Sequence, residues 1–316
     1  MVDAQGKYTQ HLLGLPILED IGDLSEAIRF PKEVLSKYRF NNDKYYHKIE
    51  VKKKPTGIRN IESPTKELKS IQKWVLKNVL DKLHPSIYAK GFVKRRSIKD
   101  NAIPHEGHQY VLNIDLKDFF TTINALQVYT LFKSIGYNKN ISFLLASICT
   151  KSGYLPQGAP TSPAISNLVC LRLDRRISSY CDKKALAYTR YADDISISGN
   201  KVSIIKKASY LIKEIIIDEG FVLNDKKEKL LGPRLRREVT GLTITPRITI
   251  GKKQYSIYRK RLHDLSKMSD NLDKGFYPQA ISQGIISFVK SIDSAKGEKL
   301  HAYYEKERAS STQVAA

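Results

Sequence analysis

An aspartate inside a strongly apolar, strand-like segment limits what this chain can form. The segment reads YVLNIDL. Because side chains alternate along a strand, Leu112, Ile114 and Leu116 share one face, and Asn113 and Asp115 share the other. A carboxylate in such a strand is costly unless it has a partner or a function. The pattern therefore predicts a sheet with one apolar face and a functional carboxylate on the opposite face.

A second acidic motif lies in a segment typical of a β-hairpin. Residues 187–198 read AYTRYADDISIS, with two β-rich runs on either side of Asp193 and Asp194. Asp-rich turns are common, so this motif gains weight only if Asp115 lies on a neighbouring strand. Three converging carboxylates suit phosphoryl transfer by two divalent ions, and oxygen ligands favour Mg²⁺. We therefore predict that these three aspartates bind two Mg²⁺ ions, although Asp194 could instead only order the hairpin.

The charge balance indicates a polyanionic partner. The chain has 54 Lys and Arg against 32 Asp and Glu, a net charge of +22. Such residues neutralise phosphates and thereby favour nucleic-acid binding, although a merely basic protein is the alternative. No apolar run approaches the ~20 residues of a membrane span, and the N-terminus lacks a signal-peptide pattern. We therefore expect no membrane partner and a cytoplasmic location, which the absence of a CxxC pair also fits.

Three zones of different texture follow one another along the chain. Residues 1–108 are basic and contain one amphipathic helix, with Ser63 as the expected cap and Pro64 in the expected first turn. Residues 109–245 alternate strands with helices. From about residue 255 onward the pattern is helical again, with a frayed tail from Ser310 to Ala316. The two apolar stripes expected in this last zone are Tyr258, Leu262 and Leu265, and Ile281, Ile285 and Phe288.

The order and spacing of five sequence blocks resemble those of reverse transcriptases, across about residues 45–245. The resemblance implies an α+β fold of the right-hand polymerase type. Fingers would occupy residues 1–108, a palm with an antiparallel sheet backed by helices residues 109–245, and a helical thumb residues 246–316. The five blocks are Lys52–Lys54 with Arg59, Asp115, the LPQGAPTSP segment at 155–163, the YADD segment at 191–194, and the GFVLN segment at 220–224 leading to Lys227.

Two short motifs narrow the resemblance to the retron reverse transcriptases of bacteria. Residues 101–105 are similar to the NAxxH signature, and residues 239–241 are similar to the VTG signature. The resemblance implies an enzyme that starts at a guanosine 2′-hydroxyl and copies part of a partner non-coding RNA into a branched RNA–DNA hybrid (msDNA). It also implies a role in defence against phage, together with an effector protein. The alternatives are a group II intron-like or diversity-generating reverse transcriptase, and a catalytically silent RNA-binding scaffold.

The resemblance also assigns roles around the incoming deoxynucleotide (dNTP). Arg59 and one of the three preceding lysines, for which we choose Lys53, would grip the triphosphate. Gln157 would hydrogen-bond near the sugar and template. Phe120 would exclude a 2′-hydroxyl, which disfavours an RNA-directed RNA polymerase. Lys227 would protonate the departing pyrophosphate, although a solvated basic helix end is the alternative reading.

The remaining candidate residues would contact RNA. Asn101 and His105 either recognise RNA or hold the fingers–palm junction, and the sequence does not separate these roles. Arg259 and Arg261 lie beside the first thumb stripe, where a solvated helix face is the alternative. No segment remains for a nuclease, so we expect a host RNase H to remove the copied RNA. The complete predicted RNA-binding set is Asn101, His105, Val239, Thr240, Gly241, Arg259 and Arg261.

Overall fold

The computed structural model describes residues 4–40, 42–52, 58–268 and 277–314. In the first zone, three short helices precede an antiparallel hairpin whose second strand leads directly into a long helix. A fifth helix follows a stretch without regular secondary structure. The elements are α1 (Ala4–Leu12), α2 (Ile21–Ile28), α3 (Lys32–Lys37), β1 (Tyr46–Lys52), β2 (Ile58–Pro64), α4 (Lys66–Asn78) and α5 (Ile98–Ala102).

Helix α4 begins later than the sequence pattern predicted. Ser63 and Pro64 belong to strand β2, so the prediction that they cap and open the helix was wrong. Thr65 is the cap, because its side chain accepts a hydrogen bond from the backbone N–H of Leu68. Pairing of β2 with β1 extends the strand through Pro64, opposite Tyr46, and this long-range contact overrides the local helix signal.

The second zone builds the sheet around β3. Strand order is β4-β5-β3-β6, with β7 also paired to β3, and every pairing is antiparallel. The predicted α+β architecture with an antiparallel sheet is therefore confirmed. The elements are β3 (Tyr110–Lys117), α6 (Phe119–Thr122), α7 (Ala125–Ser134), α8 (Lys139–Cys149), α9 (Ser162–Val169), α10 (Leu171–Lys183), β4 (Ala187–Tyr191), β5 (Asp194–Gly199), α11 (Val202–Asp218), β6 (Val222–Leu223) and β7 (Lys229–Leu231).

The alternation predicted for β3 is present in the sheet. Leu112, Ile114 and Leu116 are buried in the larger core, which also includes side chains of α10 and α11 such as Leu173 and Ile212. This core also includes residues of α2–α4, so the first zone and the sheet are packed together rather than separate. Burial of apolar area on this scale is the main force that holds β3 in place.

A second core lies in the last zone. A three-stranded antiparallel sheet precedes three helices, and both contribute to this core. The core includes Val239 and Ile250, and thus extends across the predicted palm–thumb boundary at residue 245. The division into fingers, palm and thumb remains a prediction. The elements are β8 (Glu238–Val239), β9 (Leu242–Thr243), β10 (Thr249–Ile250), α12 (Lys252–Ser266), α13 (Pro278–Ile292) and α14 (Ser294–Val314).

Two predictions about these helices need correction. Leu262 and Leu265 are buried on α12 as expected. On α13 the fully buried residues lie beside the predicted stripe, of which Ile285 still packs against this core as a partly buried residue. The buried α13 residues are Pro278, Ser282, Ile286, Val289 and Ile292. The tail predicted to be frayed from Ser310 continues α14 as helix through Val314. Among the described helices, none has both the length and the apolar composition that crossing a bilayer requires.

Candidate active site

Strand pairing brings the three predicted aspartates to one place. Asp115 near the end of β3 is directly opposite Asp194 at the start of β5. The β4–β5 turn is tight, with Ala192 in the left-handed region at φ 58°. The backbone N–H of Leu116 donates to the carbonyl of Asp193 at 3.0 Å, which ties the turn to β3. Two separate sequence motifs therefore meet because antiparallel pairing sets their register.

Asp115 is buried, and both of its carboxylate oxygens have a partner. Lys227 Nζ lies 2.6 Å from Oδ1, and Asn224 Nδ2 donates to Oδ2 at 2.9 Å. The backbone N–H of Asn224 also donates to the Asp115 carbonyl at 2.9 Å. The hydrogen bond to Asp115 raises the pKa of Lys227 above its usual value, so this side chain is held as an ammonium ion. The predicted catalytic lysine and aspartate are therefore in direct contact.

The pKa of the Asp194 carboxyl group reflects how close the three aspartates lie to one another. Desolvation, followed by the charges of Asp193 and Asp115, raises its pKa to about 6, and Lys227 partly opposes this shift. The residue nevertheless remains accessible to solvent. A site of this kind attracts cations, because a bound cation relieves the repulsion.

A cleft of about 620 Å³ opens beside the carboxylates and is lined by two of the predicted nucleotide-binding residues, Phe120 and Gln157. Strand β3 ends at Lys117, Asp118 adopts a left-handed conformation at φ 50°, and α6 then begins. This turn places Phe120 in the cleft wall and Phe119 in the core, where Phe119 stacks on Phe221 with ring centroids 5.8 Å apart. The cleft lining includes Asn60, Glu62, Phe92, Asp115, Phe120, Gln157, Asp193, Asn224 and Lys227.

The PQGAP loop forms the side of the cleft next to strand β2. The Glu62 N–H donates to the Gln157 carbonyl at 2.8 Å, so the loop and strand are joined through backbone. Gly158 has φ +140°, and a Cβ there would lie 2.7 Å from the Glu62 carbonyl oxygen. Gln157 itself lines the cleft as predicted. Arg59 lies on β2 opposite Val51, but its side chain and all of Lys53 lie outside the described residues.

The NAxxH and VTG motifs are in contact with each other. Asn101 Nδ2 donates to Thr240 Oγ1 at 3.3 Å. His105, in a 3₁₀ turn, bonds Ser198 Oγ at 2.7 Å and Thr189 Oγ1 at 2.8 Å, and thus joins β5 and β4. Burial lowers the pKa of His105 to about 3, which keeps the ring neutral. Both Asn101 and His105 are 0% exposed, so their contacts fit the fingers–palm junction rather than direct RNA binding.

The other predicted RNA contacts differ in accessibility. Val239 is fully buried in the second core, which does not fit a direct contact with RNA. Thr240 and Gly241 form the β8–β9 turn, with φ values of 46° and 79°. Arg259 and Arg261 are exposed on α12, and the Arg259 guanidinium lies 4.4 Å from the ring centroid of Tyr303. Of the predicted set, the two arginines and the turn are therefore the accessible members.

Comparison with known proteins identifies the family. Residues 51–244, more than half of the chain, match the family described as reverse transcriptase (RNA-dependent DNA polymerase). The chain is 40% identical to the retron Ec86 reverse transcriptase of Escherichia coli, over 93% of this chain and 91% of that protein. The chain belongs to the retron reverse transcriptases. It is also 31% identical to the retron Mx65 reverse transcriptase of Myxococcus xanthus, over 91% of this chain and 71% of that protein.

Solved structures give a weaker likeness. A foamy viral protease–reverse transcriptase in complex with double-stranded DNA has a TM-score of 0.47 and 17% identity, over 85% of this chain and 44% of that one. A likeness of this degree says nothing about activity. The sequence relatives alone show that this retron reverse transcriptase is an RNA-directed DNA polymerase, as predicted.

The donor set of this retron reverse transcriptase fits hard divalent cations. Carboxylate oxygens are the ligands that such ions prefer, and the Lys227 ammonium at 2.6 Å shows that Asp115 Oδ1 accepts a cation. Over the described ranges, no three Asp, Glu, His or Cys side chains form a ready-made metal site. Binding of ions by Asp115, Asp193 and Asp194 would therefore require these carboxylates to converge and Lys227 to leave Asp115.

Sequence reasoning missed a buried network beneath the retron enzyme's YADD turn. Arg190 and Asp174 form a two-point ion pair, with both residues 0% exposed. The Tyr188 hydroxyl donates a hydrogen bond to Asp174, and the Asn167 side chain accepts one from Arg190. The sequence did indicate this network, because burying an arginine within a β-rich run is costly unless it has a partner, as it is for an aspartate.

Proposed function

We propose that this RNA-directed DNA polymerase copies part of a partner non-coding RNA into a branched RNA–DNA hybrid (msDNA) by two-metal nucleotidyl transfer. The observation that carries the proposal is the register of the sheet, which sets Asp115 opposite Asp194 and ties Asp193 to β3. Oxygen ligands and phosphate chemistry favour Mg²⁺ as the ion. The two ions, when bound, would activate the primer hydroxyl and neutralise the triphosphate.

Residues of the cleft supply the remaining steps. Phe120 in the wall would collide with a 2′-hydroxyl and so select dNTPs. Gln157 would position the sugar and template strand. Lys227, once released from Asp115, would give its Nζ proton to the departing pyrophosphate. Arg59 and Lys53 would hold the triphosphate oxygens.

Membership of the retron family supports a further proposal about the setting in which the enzyme works. We propose that the enzyme works in the bacterial cytoplasm within an anti-phage retron system, together with an effector protein. Host RNase H would remove the copied RNA. The exposed Arg259 and Arg261 on α12, together with the Thr240–Gly241 turn, would contact the partner RNA.

The test uses nucleic acid that co-purifies with the chain when it is expressed with its native flanking DNA. Samples from wild type, Asp193→Asn and Asp264→Asn are treated with RNase and separated on a denaturing gel. Asp264 is an exposed residue of α12 and serves as the control. We expect a discrete DNA band that keeps a short RNA remnant in wild type and control, and its loss in Asp193→Asn. Bound RNA without DNA in every sample would contradict autonomous DNA synthesis.

A further inference from the structure

The Asp174–Arg190 ion pair is fully enclosed by protein and extensively hydrogen-bonded. Arg190 Nε and Nη2 donate to the two carboxylate oxygens of Asp174, each at 2.8 Å. The Tyr188 hydroxyl donates to Asp174 Oδ1 at 2.6 Å. Arg190 Nη1 bonds Asn167 Oδ1 and the carbonyl oxygen of Ala192, each at 3.1 Å. The guanidinium therefore uses its remaining edge to hold the backbone of the YADD turn.

This contact acts at the peptide that precedes Asp193. The Ala192 carbonyl accepts from Arg190, and the Asp193 carbonyl accepts from the Leu116 N–H at 3.0 Å. Both peptide planes next to Asp193 are thus anchored, one by a side chain and one by the sheet. Two fixed peptide planes leave the Asp193 Cα–Cβ direction little freedom, and Ala192 lies in the left-handed region that an L-residue rarely adopts.

The underside of the turn is also closed by a glycine. A Cβ on Gly91 would lie 2.6 Å from the Ala192 backbone nitrogen. The Gly91 carbonyl accepts from Asn167 Nδ2 at 2.9 Å, so the same asparagine that bonds Arg190 also holds this segment. Three separate stretches of chain meet beneath the turn through hydrogen bonds rather than apolar contact alone. Such an arrangement specifies one geometry.

We infer that Arg190, held by Asp174, is a positioning residue that aims Asp193 for catalysis. The inference rests on the proposed catalytic role of the Asp193 carboxylate. Residues that orient metal ligands in this indirect way typically change metal affinity or activity about 10–100-fold when removed. The alternative is that the ion pair only stabilises the core, and the two roles have different consequences.

An apolar replacement of the whole pair separates the roles. Buried ion pairs can often be exchanged for well-packed apolar side chains without loss of stability. We expect Asp174→Leu/Arg190→Met to keep the thermal midpoint close to wild type, but to lower kcat about 10–100-fold with the KM for dNTP changed less than about 2-fold. Apparent Mn²⁺ affinity, measured by electron paramagnetic resonance without substrate, should weaken about 10-fold as well.

A second variant covers the case in which the double variant does not fold. Arg190→Lys keeps the buried positive charge, but one ammonium lacks the planar fork that reaches both Asp174 and the Ala192 carbonyl. Assayed well below its thermal midpoint, it should also lose kcat about 10-fold. Arg176→Met is the matched control. Arg176 lies on α10, the helix that also holds Asp174, and it pairs with Asp218 and Glu219 away from the turn.

The outcomes distinguish the inference from the proposed function. Wild-type kcat and Mn²⁺ affinity in a folded apolar-pair variant, or in Arg190→Lys, would overturn the positioning role. Wild-type DNA synthesis by Asp193→Asn would instead overturn the proposed role of that carboxylate, and the inference with it. Loss of kcat in the pair variants and in Asp193→Asn, with Arg176→Met unchanged, supports both.

Discussion

At the scale of single residues, Asp115 is both a proposed metal ligand and a buried charge. Its burial requires partners, and Lys227 and Asn224 supply a charge and a hydrogen bond. The aspartate itself was predictable from strand alternation. Asn224 was not, because its role depends on the pairing of β6 with the end of β3, which no local pattern specifies. A buried charged residue is therefore easier to find in a sequence than the residue that donates a hydrogen bond to it.

Phe120 provides a direct test of sugar selection. Its ring lines the cleft that contains Asp115 and Gln157, so removing it would open space for a ribose 2′-hydroxyl. We expect Phe120→Ala to raise the relative efficiency of ribonucleotide incorporation by about 10-fold or more. Single-nucleotide extension with dNTP and rNTP, compared as kcat/KM, measures this ratio.

Phe119→Leu is the control for that test. Phe119 also borders the cleft, but the residue is 4% exposed and stacks on Phe221, so no contact with the sugar is proposed for it. Its replacement should cost roughly 1 kcal/mol of stability and leave sugar discrimination as in wild type. Equal discrimination by Phe120→Ala and wild type would refute the gate role.

At the scale of elements, the NAxxH turn links three parts of the chain. His105 bonds Thr189 on β4 and Ser198 on β5, and Asn101 reaches Thr240 in the β8–β9 turn. The sequence located both motifs but did not show that they touch, since 139 positions separate Asn101 from Thr240. Element boundaries were less predictable for the same reason. The start of α4 and the buried stripe of α13 are set by contacts with distant segments.

The buried His105 predicts a specific pH dependence of folding. Its pKa is lowered to about 3 in the folded chain, while the unfolded chain binds a proton near pH 6.5. Between these values the unfolded state holds more protons, so His105 makes stability rise with pH, by up to about 1.4 kcal/mol per unit. This contribution is complete above about pH 6.5 and falls as pH decreases.

Urea unfolding between pH 7 and pH 4 tests this effect. His105→Gln should be less stable at pH 7, because Thr189 and Ser198 lose the ring, but its stability should depend less steeply on pH. His47→Gln, at an exposed position on β1, should keep the wild-type slope. A slope in His105→Gln equal to that of wild type would show that another group dominates the titration.

At the scale of the whole molecule, two cores and a large positive charge define the chain. The α+β fold class was predictable, because helical and strand periodicities are local properties, whereas the division of the chain into three zones stays a prediction. The extents of the cores were not predictable, since Ala102 and Val111 join the second core from far upstream in the sequence. The net charge of +22 was visible from composition, but its surface distribution depends on the fold.

The salt dependence of RNA binding tests where part of this charge acts. The logarithm of the RNA association constant falls linearly with the logarithm of the salt concentration. Each phosphate contact removed makes the slope of this line less steep by about 0.7–0.9. We expect Arg259→Gln/Arg261→Gln to reduce the slope for the partner RNA by roughly 1.5. Lys206→Gln/Lys207→Gln removes two exposed charges from α11 and should change it less. A wild-type slope in Arg259→Gln/Arg261→Gln would place the α12 arginines outside the RNA interface.

The joint between strand β2 and the PQGAP loop has a mechanical consequence. The Glu62–Gln157 backbone hydrogen bond and the close approach at Gly158 hold the two segments in direct contact. Any tilt of the β1–β2 hairpin toward a bound triphosphate would carry Gln157 with it. Under the roles proposed for Arg59 and Gln157, gripping the triphosphate and positioning the sugar and template strand would then be a single movement.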